Sequence, residues 1–257
     1  MKNKYDNTLI WFKIITIFPE MFNAITNYGI TSRAIKKRII NIDFLNPRNF
    51  TKNKYKSIDD RPYGGGPGMI MSAEPLYQSI QHAKSELKNA TVIYLSPQGK
   101  LLKQNCIEQL IKKKQIIFIC GRYEGIDQRI IDSQVNEEWS IGNYILTGGE
   151  LAAMIMIDSI SRFIPGVIKK KQSIENESFS KNLLDHPHYT RPKKIHNMSV
   201  PEVLLSGNHS EIRLWRLKQS LGKTWTKRPD LLKKHILNKE EIILLNKFKK
   251  YKNKKVI

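Results

Sequence analysis

Cysteine is scarce in this sequence. Cys106 and Cys120 are the only two thiols among 257 residues. They have no C-x-x-C spacing and lie in a helix-like and a strand-like run, which argues against a disulfide framework and for reduced, packed thiols in a cytosol. No run approaches the ~18 apolar residues of a membrane span, and the N-terminus lacks a signal-peptide core, so a soluble cytoplasmic protein is expected. Acidic residues are also few: 23 Asp and Glu stand against 44 Lys and Arg, a net charge of +21. Such an excess favours a polyanionic partner and fits nucleic acid. Part of it is lysine-rich drift, as in Lys112-Lys113-Lys114 and from Lys249 to Lys255.

Two phosphate-binding signatures are missing. No G-x-G-x-x-G follows a strand-like run, and Leu217 occupies the position where a glycine would complete a loop ending in Gly222-Lys223-Thr224. Triphosphate and ordinary dinucleotide chemistry therefore drop out. His186 and His188 flank Pro187, but no Cys or carboxylate completes a zinc-like spacing, so they read as a pair of loop histidines.

What is present is a set of hydrophobic runs that each end in small residues. Val92-Ile93-Tyr94-Leu95 leads into Ser96-Pro97-Gln98-Gly99, and Ile116-Ile117-Phe118-Ile119-Cys120 leads into Gly121-Arg122-Tyr123-Glu124-Gly125. A further run extends from Trp139 through Ile141-Gly142-Asn143-Tyr144-Ile145-Leu146 to Thr147-Gly148-Gly149-Glu150. Short apolar runs stopped by Gly, Pro and Ser read as buried parallel strands whose carboxyl ends open onto ligand-binding loops. Glycine lets a ligand approach the main chain, so the loops suit a flat molecule with polar edges. A lone Gly-rich turn is ordinary loop chemistry; several in series are a ligand cradle.

The rest of the chain alternates around these runs. Residues 1 to 10 form a polar extension, followed by a strand from Phe12 to Phe18, a helix from Thr31 to Arg38 and a strand from Ile42 to Leu45. A long loop to Met71 holds Gly64-Gly65-Gly66-Pro67-Gly68, and a loop of that length is more often functional than idle. Helices from Glu74 to Leu87, Lys103 to Lys113 and Ile126 to Val135 alternate with the strands, and a helix from Gly149 to Phe163 closes an α/β domain at residue 168. Residues 169 to 181 are polar and aperiodic and read as an interdomain linker. Residues 182 to 257 are basic and helical, with helices near Pro201 to Ser206, Ser210 to Leu221 and Lys239 to Lys252.

These motifs resemble one family closely. Ile93-Tyr94-Leu95-Ser96-Pro97-Gln98-Gly99, Cys120 to Asp127 and Glu138-Trp139-Ser140-Ile141-Gly142 are similar to motifs of bacterial tRNA (guanine-N1)-methyltransferases of the SPOUT superfamily, which methylate guanine 37 beside the anticodon. The similarity continues through Asp59 to Met69, Ser161 to Gly166, Pro187-His188-Tyr189-Thr190-Arg191-Pro192 and Leu204 to His209, covering roughly residues 11 to 235 in one order. The resemblance implies a SPOUT-type α/β domain with a parallel sheet and a deep trefoil knot over 11 to 168, and a small helical tRNA-binding domain. It also implies a homodimer whose sites are shared between subunits. Knots are rare enough that the pattern of residues alone would not propose one.

The chemistry follows from the guanine. Its N1 carries a proton at neutral pH, so methylation needs a methyl donor, a base for that proton and a cation near O6. The resemblance implies S-adenosylmethionine as the donor, held by Tyr94, Leu95, Ser96, Gly121, Glu124, Ser140, Ile141, Gly142, Asn143, Tyr144, Ile145, Leu146, Gly148 and Gly149. Glu124 has three readings: a contact for the donor's charged end, a Mg2+ contact, or a carboxylate at a helix N-terminus. Arg162 matches the family's catalytic arginine, with an i,i+4 pair to Asp158 as the plainer alternative. Glu177 stands directly before Ser178-Phe179, where the family has an aspartate. The extra methylene puts its geometry in question, since a displacement near 1 Å can cost ~100-fold. Glu175 is the fallback base. Ala152 replaces a proline common in the family, a change expected to affect helix entry.

RNA contact is expected from the second domain. On the helix from Ser210, Leu214, Leu217 and Leu221 share one stripe, while Arg213 and Arg216 share another with Ser220. Arg213 and Arg216 are candidates for phosphate contact, alongside His188, Tyr189 and Arg191. Trp215 falls off the leucine stripe and either stacks on a base or packs against a neighbour. Two competing functions stay open: a non-catalytic basic RNA-binding protein, and a related knotted enzyme acting on ribose 2′-hydroxyls.

Overall fold

The structure, a computed structural model, describes residues 9–168 and 177–254. The chain divides into two compact units, Met1–Lys169 and Lys170–Ile257. Strands β1 (Ile10–Ile15), β2 (Ile40–Leu45), β5 (Thr91–Leu101), β6 (Gln115–Ile119) and β7 (Glu137–Ser140) form a parallel sheet in the order β2-β1-β6-β5-β7. Helices α1 (Asn23–Thr26), α2 (Gly29–Lys36), α3 (Ala73–Glu86), α4 (Ile107–Lys112), α5 (Gln128–Gln134) and α6 (Glu150–Ser161) connect and cover it. The fold class is therefore mixed α/β with a parallel central sheet, as the sequence pattern requires.

The runs are continuous rather than alternating because both faces of the sheet are buried. Successive side chains of β6 show this. Ile116 and Phe118 join Phe12, Ile14, Ile93 and the α6 residues Ala153, Met156 and Ile157 in one core, while Ile117 and Ile119 join Val92 and the α3 residues Leu76 and Ile80 in the other. Phe12 and Phe118 stack across neighbouring strands with centroids 6.0 Å apart. Lys13, although 5 % exposed, lies on β1, and its ammonium pairs with Glu86 and Asp43.

Several expected boundaries shift. The first strand begins at Ile10, inside the expected extension, and ends at Ile15 rather than Phe18. The strand expected over Ile141 to Leu146 is not one: the strand is β7, and 141–146 form an irregular loop. Trp139 and Ser140 carry the burial there, whereas Asn143, Tyr144 and Ile145 are exposed. Ser96 to Gly99 form a bulge within β5, since Leu95 and Lys100 both pair with Trp139. Gly99 is needed there because a Cβ would meet the Trp139 amide nitrogen at 2.4 Å. The long loop to Met71 contains a small antiparallel pair, β3 (Asp59–Asp60) and β4 (Ile70–Met71).

The second unit is mainly helical. It contains α7 (His209–Lys227), α8 (Pro229–Leu232), α9 (Lys239–Lys254) and a hairpin of β8 (Lys194–Ile195) and β9 (Met198–Ser199). Asn208 caps α7 by accepting from the Glu211 amide. The predicted leucine stripe is the packed face: Leu221 is fully buried with Leu183, Leu244 and Leu245, and Leu214 and Leu217 pack against them. α7 and α9 approach closely at Gly222, where a Cβ would lie 2.3 Å from the Phe248 ring. α7 runs six residues beyond its expected end at Leu221, and Pro201 to Ser206 contains only a short 3-10 turn, Glu202–Leu204.

Candidate functional site

The carboxyl ends of β5, β6 and β7 open onto a cavity of about 260 Å3. Tyr94, Leu95, Ser96 and Pro97 form one wall; Gly121, Tyr123, Glu124 and Gly125 form a second; Trp139 to Gly142 and Tyr144 to Gly149 form the third. All of the residues expected to hold a donor line this cavity except Asn143, which is exposed beside it. Pro97, Tyr123, Gly125, Trp139, Thr147 and Ala152 also line it and were not among the residues expected to hold a donor. Among the described residues, Glu124 is the sole carboxylate in the lining, and no Lys, Arg or His lines it.

The loops are held together from beneath by a buried ion pair. Glu150, the first residue of α6, is fully buried; its Oε2 accepts from Arg122 Nε at 2.9 Å and its Oε1 from Thr16 Oγ1 at 2.8 Å. Arg122 also donates to the Thr147 carbonyl at 3.3 Å, and its guanidinium lies over the Phe18 ring at 4.6 Å. One guanidinium thus ties the turn after β6 to the loop before α6 and to the segment after β1. The small residues are required by this closeness. A Cβ on Gly148 would lie 2.3 Å from Arg122 Nε, and one on Gly149 would lie 2.8 Å from the Cys120 backbone.

The same packing sets the local acidities. Burial, and then the neighbouring Glu150 charge, push the Cys120 thiol well up, so it is an inert core group. Burial, reinforced by Glu138, also raises the Tyr94 phenol. Glu124 does not sit in the first turn of α5, which is capped by Asp127 accepting from the Arg129 amide at 2.9 Å. Its side chain instead lies against Gly68 of the long glycine loop, where a Cβ would be 2.5 Å from Oε1. Of its three sequence readings, the helix-terminus one is therefore set aside.

Arg162 is the C-cap residue of α6, at the far end from Gly149. It is outside the cavity lining, and about 20 Å of helix axis separates it from Gly149 at 1.5 Å per residue.

In the second unit, Glu177 lines a cavity of about 470 Å3 together with His186, His209, Arg213 and Arg216. The segment that follows Glu177 is folded against α7 and its neighbours. Ser178 Oγ accepts from the Asp185 amide at 2.9 Å, and Leu183 enters the core. Glu175 and the rest of 169–176 lie outside the described residues.

The candidate RNA contacts differ in freedom. Arg213 is held by Glu240 through two hydrogen bonds of 2.7 and 3.0 Å, and that guanidinium keeps the Glu240 carboxyl below the usual carboxylate range. Arg216 makes no hydrogen bond or ion pair among the described residues and lines both this cavity and a neighbouring one of about 540 Å3 with His188, Tyr189 and Arg191. Trp215 packs against Tyr189, with centroids 6.2 Å apart. The reading of His186 and His188 as histidines without a carboxylate needs correction. Asp185, adjacent in sequence and overlooked because no zinc spacing includes it, places a carboxylate oxygen 2.8 Å from His188 Nε2.

A family profile described as tRNA (Guanine-1)-methyltransferase TrmD matches residues 10–234. A protein named tRNA (guanine-N(1)-)-methyltransferase from Buchnera aphidicola subsp. Schizaphis graminum is 76 % identical over 249 residues, covering 97 % of this chain and 95 % of the relative. Relatives of the same name from Buchnera aphidicola subsp. Acyrthosiphon pisum and from Marinomonas sp. are 78 % and 55 % identical, each over 91 % of this chain and covering 99 % and 94 % of the relatives. With the glycine-lined cavity at the strand ends and a profile match spanning both units, the chain belongs to the tRNA (guanine-N1)-methyltransferase family.

Proposed function

We infer that the chain methylates N1 of guanine 37 in tRNA, beside the anticodon, when guanine 36 precedes it, with S-adenosylmethionine as donor. Family membership gives the reaction class: this is a tRNA (guanine-N1)-methyltransferase. The donor reading is carried by the character of the cavity. Its lining offers a carboxylate, Glu124, and no cationic side chain, which suits a ligand bearing sulfonium and ammonium charges and opposes a polyphosphate. Leu95, Ile141, Leu146 and Trp139 supply apolar walls for an adenine, and Gly121 and Gly148 line the cavity without side chains. The fit is good on both counts. Tyr94, Leu95, Ser96, Gly121 and the residues from Ser140 to Gly149 would hold the donor, and Glu124 would meet its ammonium end or a Mg2+ ion.

The bound donor supplies an electrophilic methyl. Everything else falls to the protein and the guanine. Glu177 takes the N1 proton as the N1–methyl bond forms, and Arg162 stabilises the negative charge that collects on O6 with its planar fork of donors. Arg216, with His188, Tyr189 and Arg191, holds the phosphates of the anticodon stem-loop. A base that presents its Watson–Crick edge must leave the loop stack, which favours a single-stranded target.

The α/β unit is expected to carry the family's trefoil knot, and two chains are expected to share each site. Sharing is supported by the distance along α6, since Arg162 and the cavity occupy opposite ends of one rigid helix. The test is incubation with labelled donor and unmodified tRNA transcripts bearing guanine or adenine at position 36, followed by nucleoside analysis. The expected product is 1-methylguanosine, confined to transcripts with guanine 36. Labelled 2′-O-methyl nucleotides, or equal labelling of both transcripts, would overturn the reading.

A further inference from the structure

Among the described residues, one group of His, Cys, Asp or Glu side chains converges as metal ligands do: Asp185, His186 and His188, whose ligating atoms all lie within 4.8 Å of one another. We propose that these residues form a site for a divalent transition metal of the zinc class in the second unit.

The local sequence explains the convergence. A residue preceding proline is biased to an extended conformation, and along an extended chain residues i and i+2 fall on one side. Pro187 therefore brings His186 and His188 together, with ring centroids 4.4 Å apart. Asp185 closes the third side: its Oδ2 is 2.8 Å from His188 Nε2 and its Oδ1 is 3.7 Å from His186 Nε2. Ligands bound at ~2.0 to 2.2 Å in tetrahedral geometry are ~3.3 Å apart, so these separations need only small side-chain rotations.

The tautomer of His186 is fixed in the required sense. Its Nδ1 lies 3.0 Å from the Pro187 carbonyl oxygen, which can only accept, so Nδ1 carries the proton and Nε2 presents its lone pair towards Asp185. A ligating histidine almost always donates its other N–H to a carbonyl or carboxylate in this way. At His188, a metal ion takes the place of the Nε2 proton that bridges to Asp185, and the neutral ring then carries its proton on Nδ1.

The support beneath the site is rigid. The Leu184 amide donates to Thr224 Oγ1 at 2.8 Å, Ser220 Oγ donates to the Leu184 carbonyl at 2.5 Å, and Lys223 Nζ donates to the Asp185 carbonyl at 3.2 Å. All three partners lie on α7. His186 is mostly buried and His188 is 70 % exposed, which leaves an entry path and an open fourth position for water. Two imidazoles and one carboxylate select zinc, cobalt or nickel over Mg2+, which demands oxygen ligands.

The test uses the full chain stripped with a chelator and titrated with Co2+, whose visible absorption reports four-coordinate geometry. One equivalent of Co2+ per chain is expected to develop the bands, Zn2+ to displace it stoichiometrically, and excess Mg2+ to leave it in place. His186→Ala, His188→Ala and Asp185→Asn should each weaken binding by more than the ~10- to 100-fold typical of an outer-shell partner, whereas His209→Ala and His235→Ala should leave it unchanged. His188 is exposed, so its removal spares the packing, and an unaltered melting temperature of that variant identifies the loss as one of ligation. No visible bands in the wild-type chain, bands that persist in both His186→Ala and His188→Ala, or displacement by Mg2+ as readily as by Zn2+ would overturn the assignment.

Discussion

At the scale of single residues, the proposed base is Glu177, at a position where the resemblance implies an aspartate in the family; a glutamate keeps the carboxylate and moves it one methylene outward. Ser178 accepts from the Asp185 amide, which pins the backbone immediately after it. If Glu177 is the base, Glu177→Gln removes proton transfer while leaving donor and tRNA binding intact, and single-turnover rates should fall by ~100-fold or more. Glu177→Asp should retain or raise the rate. An unchanged rate in the glutamine variant would move the base elsewhere, with Glu175 tested next. The two arginines on the exposed stripe of α7 also separate at this scale. Arg216 is unengaged among the described residues, whereas Arg213 must give up Glu240 before it can meet a phosphate. Arg216→Ala should therefore weaken tRNA binding more than Arg213→Ala does and lower the salt slope by roughly one unit. Equal losses in filter-binding titrations across salt concentrations would contradict that ordering.

At the scale of elements, the ion pair under the cavity is the feature most sensitive to mutation. Glu150 is buried completely and Arg122 largely, so Glu150→Ala leaves a largely buried guanidinium without its carboxylate. Breaking a buried pair in this way costs about 3 to 5 kcal/mol, and urea denaturation should show a loss of that order in the α/β unit. A loss below about 1 kcal/mol would mean that the loops are held by other contacts. None of this pairing was legible in the sequence. Arg122 and Glu150 are 28 residues apart, and only the parallel topology brings the turn after β6 to the N-terminus of α6. What the sequence did reveal was local. The runs through Val92 and Ile116 gave β5 and β6, because apolar residues stopped by glycine have few other outcomes. The strand misplaced over Ile141 to Leu146 fails for a physical reason: Ile141 and Leu146 reach the core, but Tyr144 and Ile145 between them are exposed at a cavity they help to line. Hydrophobicity alone does not distinguish those surfaces. The overlooked carboxylate of Asp185 fails for another, since ligand spacing rules do not include an acid adjacent to a histidine. The leucine stripe of α7 succeeded because a helix face is fixed by periodicity within one element.

At the scale of the whole molecule, the question is how many chains build one site. The glycine-lined cavity lies at one end of α6 and Arg162 at the other, and Glu177 belongs to the second unit. A twofold homodimer in which each site takes its cavity from one chain and its base from the partner makes a quantitative prediction. Gly142→Val is expected to crowd the cavity, since even a Cβ there would lie 2.2 Å from the Tyr144 ring that lines it and would displace that ring. Calorimetry with S-adenosylmethionine should confirm that donor binding is lost in this variant. Glu177→Ala disables the base and keeps donor binding. Each homodimer alone is inactive. After the two proteins are mixed and allowed to exchange, about half of the dimers are heterodimers, and each has one intact site of two, so activity should return to roughly a quarter of wild type. Recovery on that scale requires that the two lesions fall in different sites of the heterodimer, which happens only when cavity and base come from different chains. If native mass spectrometry demonstrates heterodimers and the mixture stays inactive, then the cavity and Glu177 of one site belong to the same chain, and the ~20 Å along α6 must be bridged within a single subunit.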